Sequence, residues 1–264
     1  MSETTPETPS IDRAMLLAAG LGTRMRPLSE TRPKPLIRVA GKPLIAYALE
    51  RLRAAGVRRV VMNVHWLAEQ LEEWAARQAP PPQILVSDER EALLETGGGL
   101  RKALPLLGSD APLFVVNTDS IWLDGEVPAL ARLARAWDGA RMDALLLLCP
   151  QKRAVGHDKG GDFICVEGGA PSAGAMDTPC PVRRATGGER AVAPVFTGIY
   201  IVHPRLFDQA PESRRFSMNA LFDRELEEGR LFGLWHDAPW LHVGTPQAIA
   251  EAEKALEKWR ENHS

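Results

Sequence analysis

The chain has 264 residues, 45% of them hydrophobic, enough to bury one sizeable core. Its 32 basic and 34 acidic residues are interspersed and leave a net charge of −2, which supplies no basic footprint for nucleic acid. The longest apolar runs are far too short to span a bilayer. The three cysteines, Cys149, Cys165 and Cys180, have neither metal-ligand spacing nor an even count. Cys149 and Cys165 sit in apolar runs and read as buried thiols, and Cys180, among prolines, reads as inert, which fits a reducing compartment.

Residues 1–12 read as a polar, frayed tail without an apolar signal core, and residues 13–264 as a single domain of a cytoplasmic protein. Ala14–Ala18 predicts a buried strand. Pro43–Ala55 predicts a helix with Ile45, Ala48, Leu49 and Leu52 on one face, stopped by Gly56. Strand Val60–Asn63 and helix Leu67–Arg77 follow, and Pro80-Pro81-Pro82 breaks the pattern before strand Ile84–Val86. A helix near Gly99–Leu106, strand Leu113–Val116, helix Val127–Trp137 and strand Ala144–Leu148 continue the alternation. Such alternation predicts an α/β fold with a mostly parallel sheet and helices on both faces, ligands lying at the carboxyl ends of the strands. From about 150 to 195 the texture becomes rich in glycine and proline, with a short apolar run at Phe163–Val166, and reads as strands and loops covering the sheet edge. Regularity returns with Val195–Val202, a helix near Met218–Glu228, strands Leu231–Trp235 and Trp240–Val243, and a last helix Pro246–Trp259.

The densest chemistry follows the first strand. Leu17-Ala18-Ala19-Gly20-Leu21-Gly22-Thr23-Arg24 is a small-residue turn ending in a hydroxyl and a cation, and Pro33-Lys34-Pro35-Leu36 adds a lysine one loop later. Backbone can approach a ligand closely over such a turn, and its successive N–H groups form an anion-binding concavity suited to nucleotide phosphates. Two look-alikes fail. Met25 stands where a dinucleotide fingerprint needs its third glycine, and Gly41-Lys42-Pro43 lacks the hydroxyl of a P-loop. Further on, Asn117-Thr118-Asp119 closes an apolar strand, and a carboxylate there is poorly explained by packing but well placed for Mg²⁺.

The G-x-G-T-R turn followed by P-K-P-L resembles the signature of the sugar-1-phosphate nucleotidyltransferases, and the resemblance runs from about Ala14 to about Ala255. Leu94-Glu95-Thr96-Gly97-Gly98-Gly99 is most similar to the bacterial N-acetylmuramate-1-phosphate uridylyltransferases of cell-wall recycling. The resemblance implies a Rossmann-like sheet of the nucleotide-diphospho-sugar transferase type, with a β-rich sugar-binding elaboration at about 150–195. It implies transfer of a nucleotidyl group from an NTP, best UTP, to a sugar-1-phosphate, best N-acetylmuramate-1-phosphate, releasing pyrophosphate. By residue, it implies that Arg24 holds the β/γ-phosphates and Lys34 reaches the α-phosphate and the incoming sugar phosphate. Leu17, Ala18, Ala19, Gly20, Gly22 and Thr23 cradle the nucleotide, Glu95, Thr96 and Gly97 lie against base and ribose, and Asn117 orders a loop or a phosphate. Gly161 and Asp162, in a G-D-F turn, and Thr197 and Gly198, in a T-G-I strand, touch the sugar.

Asp119 matches the first carboxylate of the family's Mg²⁺ site. The second, expected in a W-x-D-x-G-T strand, is replaced in Trp240-Leu241-His242-Val243-Gly244-Thr245 by His242. Imidazole suits Mg²⁺ poorly, so four readings of His242 stay open: a phosphate contact, a ligand of a softer ion such as Mn²⁺, a group that orients a water, or a merely structural histidine. Relatives also carry a glutamate-lysine-proline near position 185 whose lysine grips the sugar phosphate; Arg183, Arg184 and Arg190 stand here instead. Two alternatives remain open on sequence: a mannose-1-phosphate guanylyltransferase, and a catalytically inactive sugar-nucleotide sensor, which His242 favours and the intact Arg24, Lys34 and Asp119 oppose. Expected partners are the NTP and the sugar-1-phosphate, without nucleic acid or membrane, in a monomer or small homo-oligomer.

Overall fold

The computed structural model describes residues 11–108, 110–166 and 176–263. Among these, nine strands form the central sheet: β1 (Arg13–Leu17), β2 (Arg59–Val64), β3 (Gln83–Asp88), β4 (Leu113–Asn117), β5 (Ala144–Cys149), β6 (Phe163–Cys165), β7 (Cys180–Arg184), β8 (Val195–Val202) and β9 (Leu231–Trp235). Their order is β6-β7-β9-β5-β8-β4-β1-β2-β3. β7 and β8 run against the others, which all point one way, so the sheet is mostly parallel, as the β-α alternation predicts. From β1 the chain winds outward through β2 and β3 and then returns to the other side of β1 as β4. That reversal leaves a crevice beyond the carboxyl ends of β1 and β4, the favoured ligand position in such sheets.

Alternation along each strand sends side chains to two cores. Ala14 and Leu16 of β1, with Leu145 and Leu147 of β5, face one side, under α1 (Leu44–Ala54), α2 (Ala68–Ala76) and α4 (Ala129–Ala136). Met15, Leu146 and Leu148 face the other, under α3 (Glu95–Leu107) and α5 (Met218–Glu227). A third cluster lies off the sheet. There Met25, Ile37 and Val39 of the glycine-turn region pack with Leu241 and Val243 against Ala252 and Leu256 of α6 (Pro246–His263). This cluster fixes the catalytic-looking loops on the C-terminal helix.

Three expectations are corrected. Residues 1–10 lie outside the described residues, but packing begins at Ile11, which is buried, and Asp12, which accepts a 2.9 Å hydrogen bond from Arg58, rather than at residue 13. Gly97, Gly98 and Gly99 lie inside α3, which begins at Glu95, and do not precede it. A Cβ on Gly97 would enter the Phe216 ring, one on Gly98 the Arg214 carbonyl, and one on Gly99 would stand 2.6 Å from the Glu89 carboxylate, so close packing outweighs poor helix propensity. Finally, Cys165 and Cys180 are joined in a disulfide, and Cys149 alone is free among the described cysteines. Antiparallel pairing of β6 with β7 brings their Cα atoms to 5.5 Å, a normal separation for a disulfide. The three cysteines therefore no longer argue for a reducing compartment. Burial pushes the Cys149 thiol up to about 12, which leaves it no thiolate chemistry at neutral pH.

His236, just past β9, is fully buried and neither ring nitrogen has a hydrogen-bond partner. Burial pulls its pKa down to about 4, against partial compensation from Asp237. The unfolded chain binds this proton below about pH 6.5 and the folded chain does not until about pH 4, so folding stability is lost as pH falls through that window. The expected loss from this group is about 3 kcal/mol, read by urea denaturation between pH 7 and 4. His236→Phe should flatten the profile, leaving the smaller contributions of His203 and His242, whose pKa values burial also lowers.

Candidate active site

The register that opposes Leu17 to Asn117 places the glycine turn beside Thr118 and Asp119. Thr118 reinforces the junction by donating its hydroxyl to the Leu17 carbonyl at 2.8 Å. Gly22 adopts a left-handed conformation (φ +63°) that turns the loop back, and its carbonyl accepts from the Ser29 hydroxyl at 2.7 Å and from Met25 N–H at 2.8 Å. The result is a cavity of about 500 Å³ beyond β1, lined by Leu17, Ala18, Ala19, Gly20, Gly22, Thr23, Arg24, Lys34, Glu95, Thr96, Asn117 and Asp119. All the residues that the sequence assigns to the nucleotide therefore meet here except Gly97, which lies behind the wall against Phe216.

Two wall residues were not singled out from the sequence. Asn63, at 3% exposure on β2, accepts hydrogen bonds from Ala18 N–H (2.7 Å) and Ala19 N–H (3.3 Å) through Oδ1, and its Nδ2 donates to Glu89 at 2.7 Å. Glu89 is itself buried and accepts from Leu94 N–H at 3.1 Å just ahead of α3. This chain of bonds ties the glycine turn to the Glu95-Thr96 wall. One sign was available beforehand: an asparagine inside the apolar run Val-Val-Met-Asn-Val must find partners once buried.

The charged centre lies at the mouth of this cavity. Lys34 Nζ donates to Asp119 Oδ2 at 2.9 Å, with the lysine side chain largely buried and the aspartate partly open. Burial works to raise the Asp119 pKa, but Lys34, then His242, then Arg24 outweigh it and hold the carboxyl below its ordinary value. His242 stacks on Trp240 with 5.5 Å between centroids and meets the His157 ring edge-on at 6.0 Å. Burial lowers its pKa against the pull of Asp119, so the imidazole is neutral at pH 7. A Cβ on Gly244 would stand 2.5 Å from His242 Nε2 and 3.4 Å from Arg24 Nη1, so both side chains close over that glycine. Asp237, nearby in sequence, is turned away and pairs with Arg132 at 3.0 Å.

Two further lobes adjoin this cavity, and only one of them shares the charged centre. One, also of about 500 Å³, shares Arg24, Asn117 and Asp119 with the first and is lined by His157, Lys159, Thr197 and His242. The other, of about 260 Å³, holds Asp162, Phe163, Arg184, Phe196, Tyr200 and Asn219. Asn117 lines all three lobes, held by Gly198, whose φ of +76° and missing Cβ make room for its amide. Of the sugar-side expectations, Asp162 and Thr197 reach a lobe, whereas Gly161 and Gly198 are packed behind it. Thr197 nevertheless donates its hydroxyl inward, to the Leu147 carbonyl at 2.8 Å. The three arginines are now separated. Arg183 grips Glu189 with both terminal nitrogens at 2.8 and 2.6 Å, Arg190 stands 3.8 Å from Asp162, and Arg184 alone of the three lines a lobe.

The MobA-like NTP transferase domain matches residues 14–215. The chain belongs to the MobA-like NTP transferase family. Over 248 residues it is 44% identical to the N-acetylmuramate alpha-1-phosphate uridylyltransferase of Caulobacter vibrioides, covering 92% of this chain and 96% of that one. The protein of the same name from Neisseria meningitidis serogroup B is 34% identical, covering 94% and 100%. In fold it is similar to the inositol-1-phosphate CTP transferase of T. maritima, with a TM-score of 0.71, 16% identity and coverage of 96% and 98%. The NTP transferase therefore moves a nucleotidyl group, and its cleft divides into three lobes that meet at Asn117. Asn63→Ala should leave Ala18 N–H, Ala19 N–H and the Glu89 carboxylate without their partner. Titration calorimetry should show NTP binding weakened about tenfold, with a lowered melting temperature.

Proposed function

We propose that this NTP transferase joins UTP and N-acetylmuramate α-1-phosphate into the UDP-sugar, releasing pyrophosphate and serving cell-wall recycling. The observation that carries the reading is the convergence of Arg24, Lys34 and Asp119 where the glycine-turn lobe, read as the donor lobe, meets the lobe of His157 and His242, read with the Arg184 lobe as the acceptor side. The choice of base and sugar is supported by the names of the two full-length relatives.

The reaction brings two anions together, so alignment and charge neutralisation carry it, and no protein nucleophile is required. An oxygen of the sugar phosphate attacks the α-phosphorus, and the bond from that phosphorus to the β-bridging oxygen breaks. Arg24, which makes no ion pair among the described residues, takes up charge on the departing pyrophosphate. Lys34 leaves Asp119 for the α-phosphate, its flexible stem following the centre as it moves between oxygens.

The donor set suits Mg²⁺ only with help. No cluster of three His, Cys, Asp or Glu side chains that could hold a metal occurs among the described residues. Asp119 would hold the ion through its carboxylate oxygens once Lys34 departs, with phosphate oxygens and water supplying the remaining ligands, as is usual for Mg²⁺ at phosphate sites. When bound, the ion neutralises charge on the phosphates. His242, a neutral acceptor near Asp119, would orient a water on the ion or ligate a softer ion such as Mn²⁺. No helix among the described residues is long and apolar enough to cross a membrane, and dependence on an NTP pool favours the cytoplasm.

Pyrophosphate release with Mg²⁺ or Mn²⁺, each common NTP and a panel of sugar-1-phosphates should be greatest for UTP with N-acetylmuramate-1-phosphate. A preference for GTP with mannose-1-phosphate overturns the substrate reading, and nucleotide binding without turnover under either metal moves the protein to the sensor class. Asp119→Asn should lower kcat/KM by about a thousandfold while the circular dichroism stays unchanged. His242→Asp, which supplies a second carboxylate, should lower the half-saturating Mg²⁺ concentration by about tenfold. An unaltered metal response would remove His242 from the metal's surroundings.

A further inference from the structure

We infer that Arg184 recognises a second anionic group on the acceptor, the lactyl carboxylate that distinguishes an N-acetylmuramate from an N-acetylglucosamine, in the lobe between β7, β8 and α5. The inference rests on the acceptor reading above and assigns the residue that enforces it.

Arg184 ends β7 directly opposite Phe163 of β6, and its guanidinium lies over that ring at 4.5 Å from the centroid. Its edge is fixed from α5: Nε donates to Asp223 at 2.8 Å and Nη2 to Asn219 Oδ1 at 3.0 Å. Nη1 has no hydrogen-bond partner among the described residues. A planar fork held on one edge and left open on the other is preorganised for a carboxylate.

Position argues that this anion is not the reacting phosphate. Arg24, Lys34 and Asp119 line the donor lobe, and none of them lines the lobe that holds Arg184. The two meet only through neutral residues, among them Asn117, Thr96 and Ser217. The one carboxylate lining this lobe, Asp162, accepts from Phe196 N–H at 2.9 Å and lies 3.8 Å from Arg190, so its charge is already offset.

A second observation points to a ligand in the same lobe. Tyr200 is 2% exposed and its hydroxyl has no hydrogen-bond partner, although a buried hydroxyl ordinarily finds one. Burial raises its pKa, so it remains a neutral donor. A guanidinium, an orphan hydroxyl and the faces of Phe196 and Phe222 together suit an acid bearing a small methyl group. Asp223 and Asn219 occupy one edge of the guanidinium, and a neutral hexose phosphate would leave its Nη1 without a partner.

The test compares two acceptors that differ only at O3. Dissociation constants of N-acetylmuramate-1-phosphate and N-acetylglucosamine-1-phosphate are measured by calorimetry on full-length protein saturated with a UTP analogue blocked between the α- and β-phosphates. The wild type should favour the muramate. Arg184→Gln should cut that preference by about tenfold or more, the size of a lost charge-assisted hydrogen bond. Arg184→Lys, which keeps charge without the fork, should retain part of the preference and covers the case in which the glutamine variant does not fold. Equal weakening of both acceptors by the variants overturns the proposal and makes Arg184 a phosphate or structural residue, as does an unchanged ratio. A wild type with no preference for the muramate sinks the substrate reading itself.

Discussion

The pairing of β1 with β4, with Leu17 opposite Asn117, is the constraint on which the site depends. It sets the end of the glycine turn against the carboxylate-bearing corner without any long-range side-chain contact having to hold them. Because both strands are buried and parallel, a slip of one residue would send Met15 and Leu16 to the wrong cores, so the register is strongly specified. The Asn63 amide and the Thr118 hydroxyl then lock the last degree of freedom, the direction in which the chain leaves β1. The third hydrophobic cluster does the same for the other half of the site, pressing the Met25–Val39 region and the His242 strand onto α6. Geometry at the phosphate position is thus carried by backbone pairing and apolar packing, and the charged side chains are left free to respond to substrate.

That freedom is visible in the charges. Lys34 and Asp119 satisfy each other in a half-buried pair, where either alone would face a desolvation cost. On the proposed reading, a phosphate offers the lysine a stronger partner and releases the carboxylate at the same moment. The resting pair is therefore one end of an exchange, and its worth to folding is secondary.

Most of the sheet was legible because strand and helix periods alternate cleanly. β8, Val195–Val202, has the bounds that its apolar run implies, α1 is shorter than expected by one residue at each end, and α5 by one residue at its C-terminus. The donor lobe was legible because small residues, Arg24 and Lys34 lie close together in sequence. What escaped sequence reasoning depends on contacts between distant segments. The three glycines of α3 read as a turn, since nothing local announces that Phe216, Arg214 and Glu89 crowd the helix from outside. The Cys165–Cys180 bond likewise required the β6–β7 register, and Arg184 was inseparable from Arg183 and Arg190 until alternation on β7 sent one to a lobe and one to Glu189.

Histidine at position 242 makes sense as charge balance. At neutral pH the centre holds Arg24 and Lys34 against Asp119, with His242 uncharged, so the cations outnumber the carboxylate. A second carboxylate in its place would cancel that excess and make the empty site depend on a divalent ion to attract phosphate. With histidine, the centre keeps that excess inside a cleft whose walls also carry Glu89 and Glu95, and on the proposed reading a divalent ion would be held by Asp119 together with oxygens of the substrate. Stacking on Trp240 and the close approach of Gly244 hold the imidazole beside Arg24, so this position adds a neutral ring to the centre in place of a second negative charge.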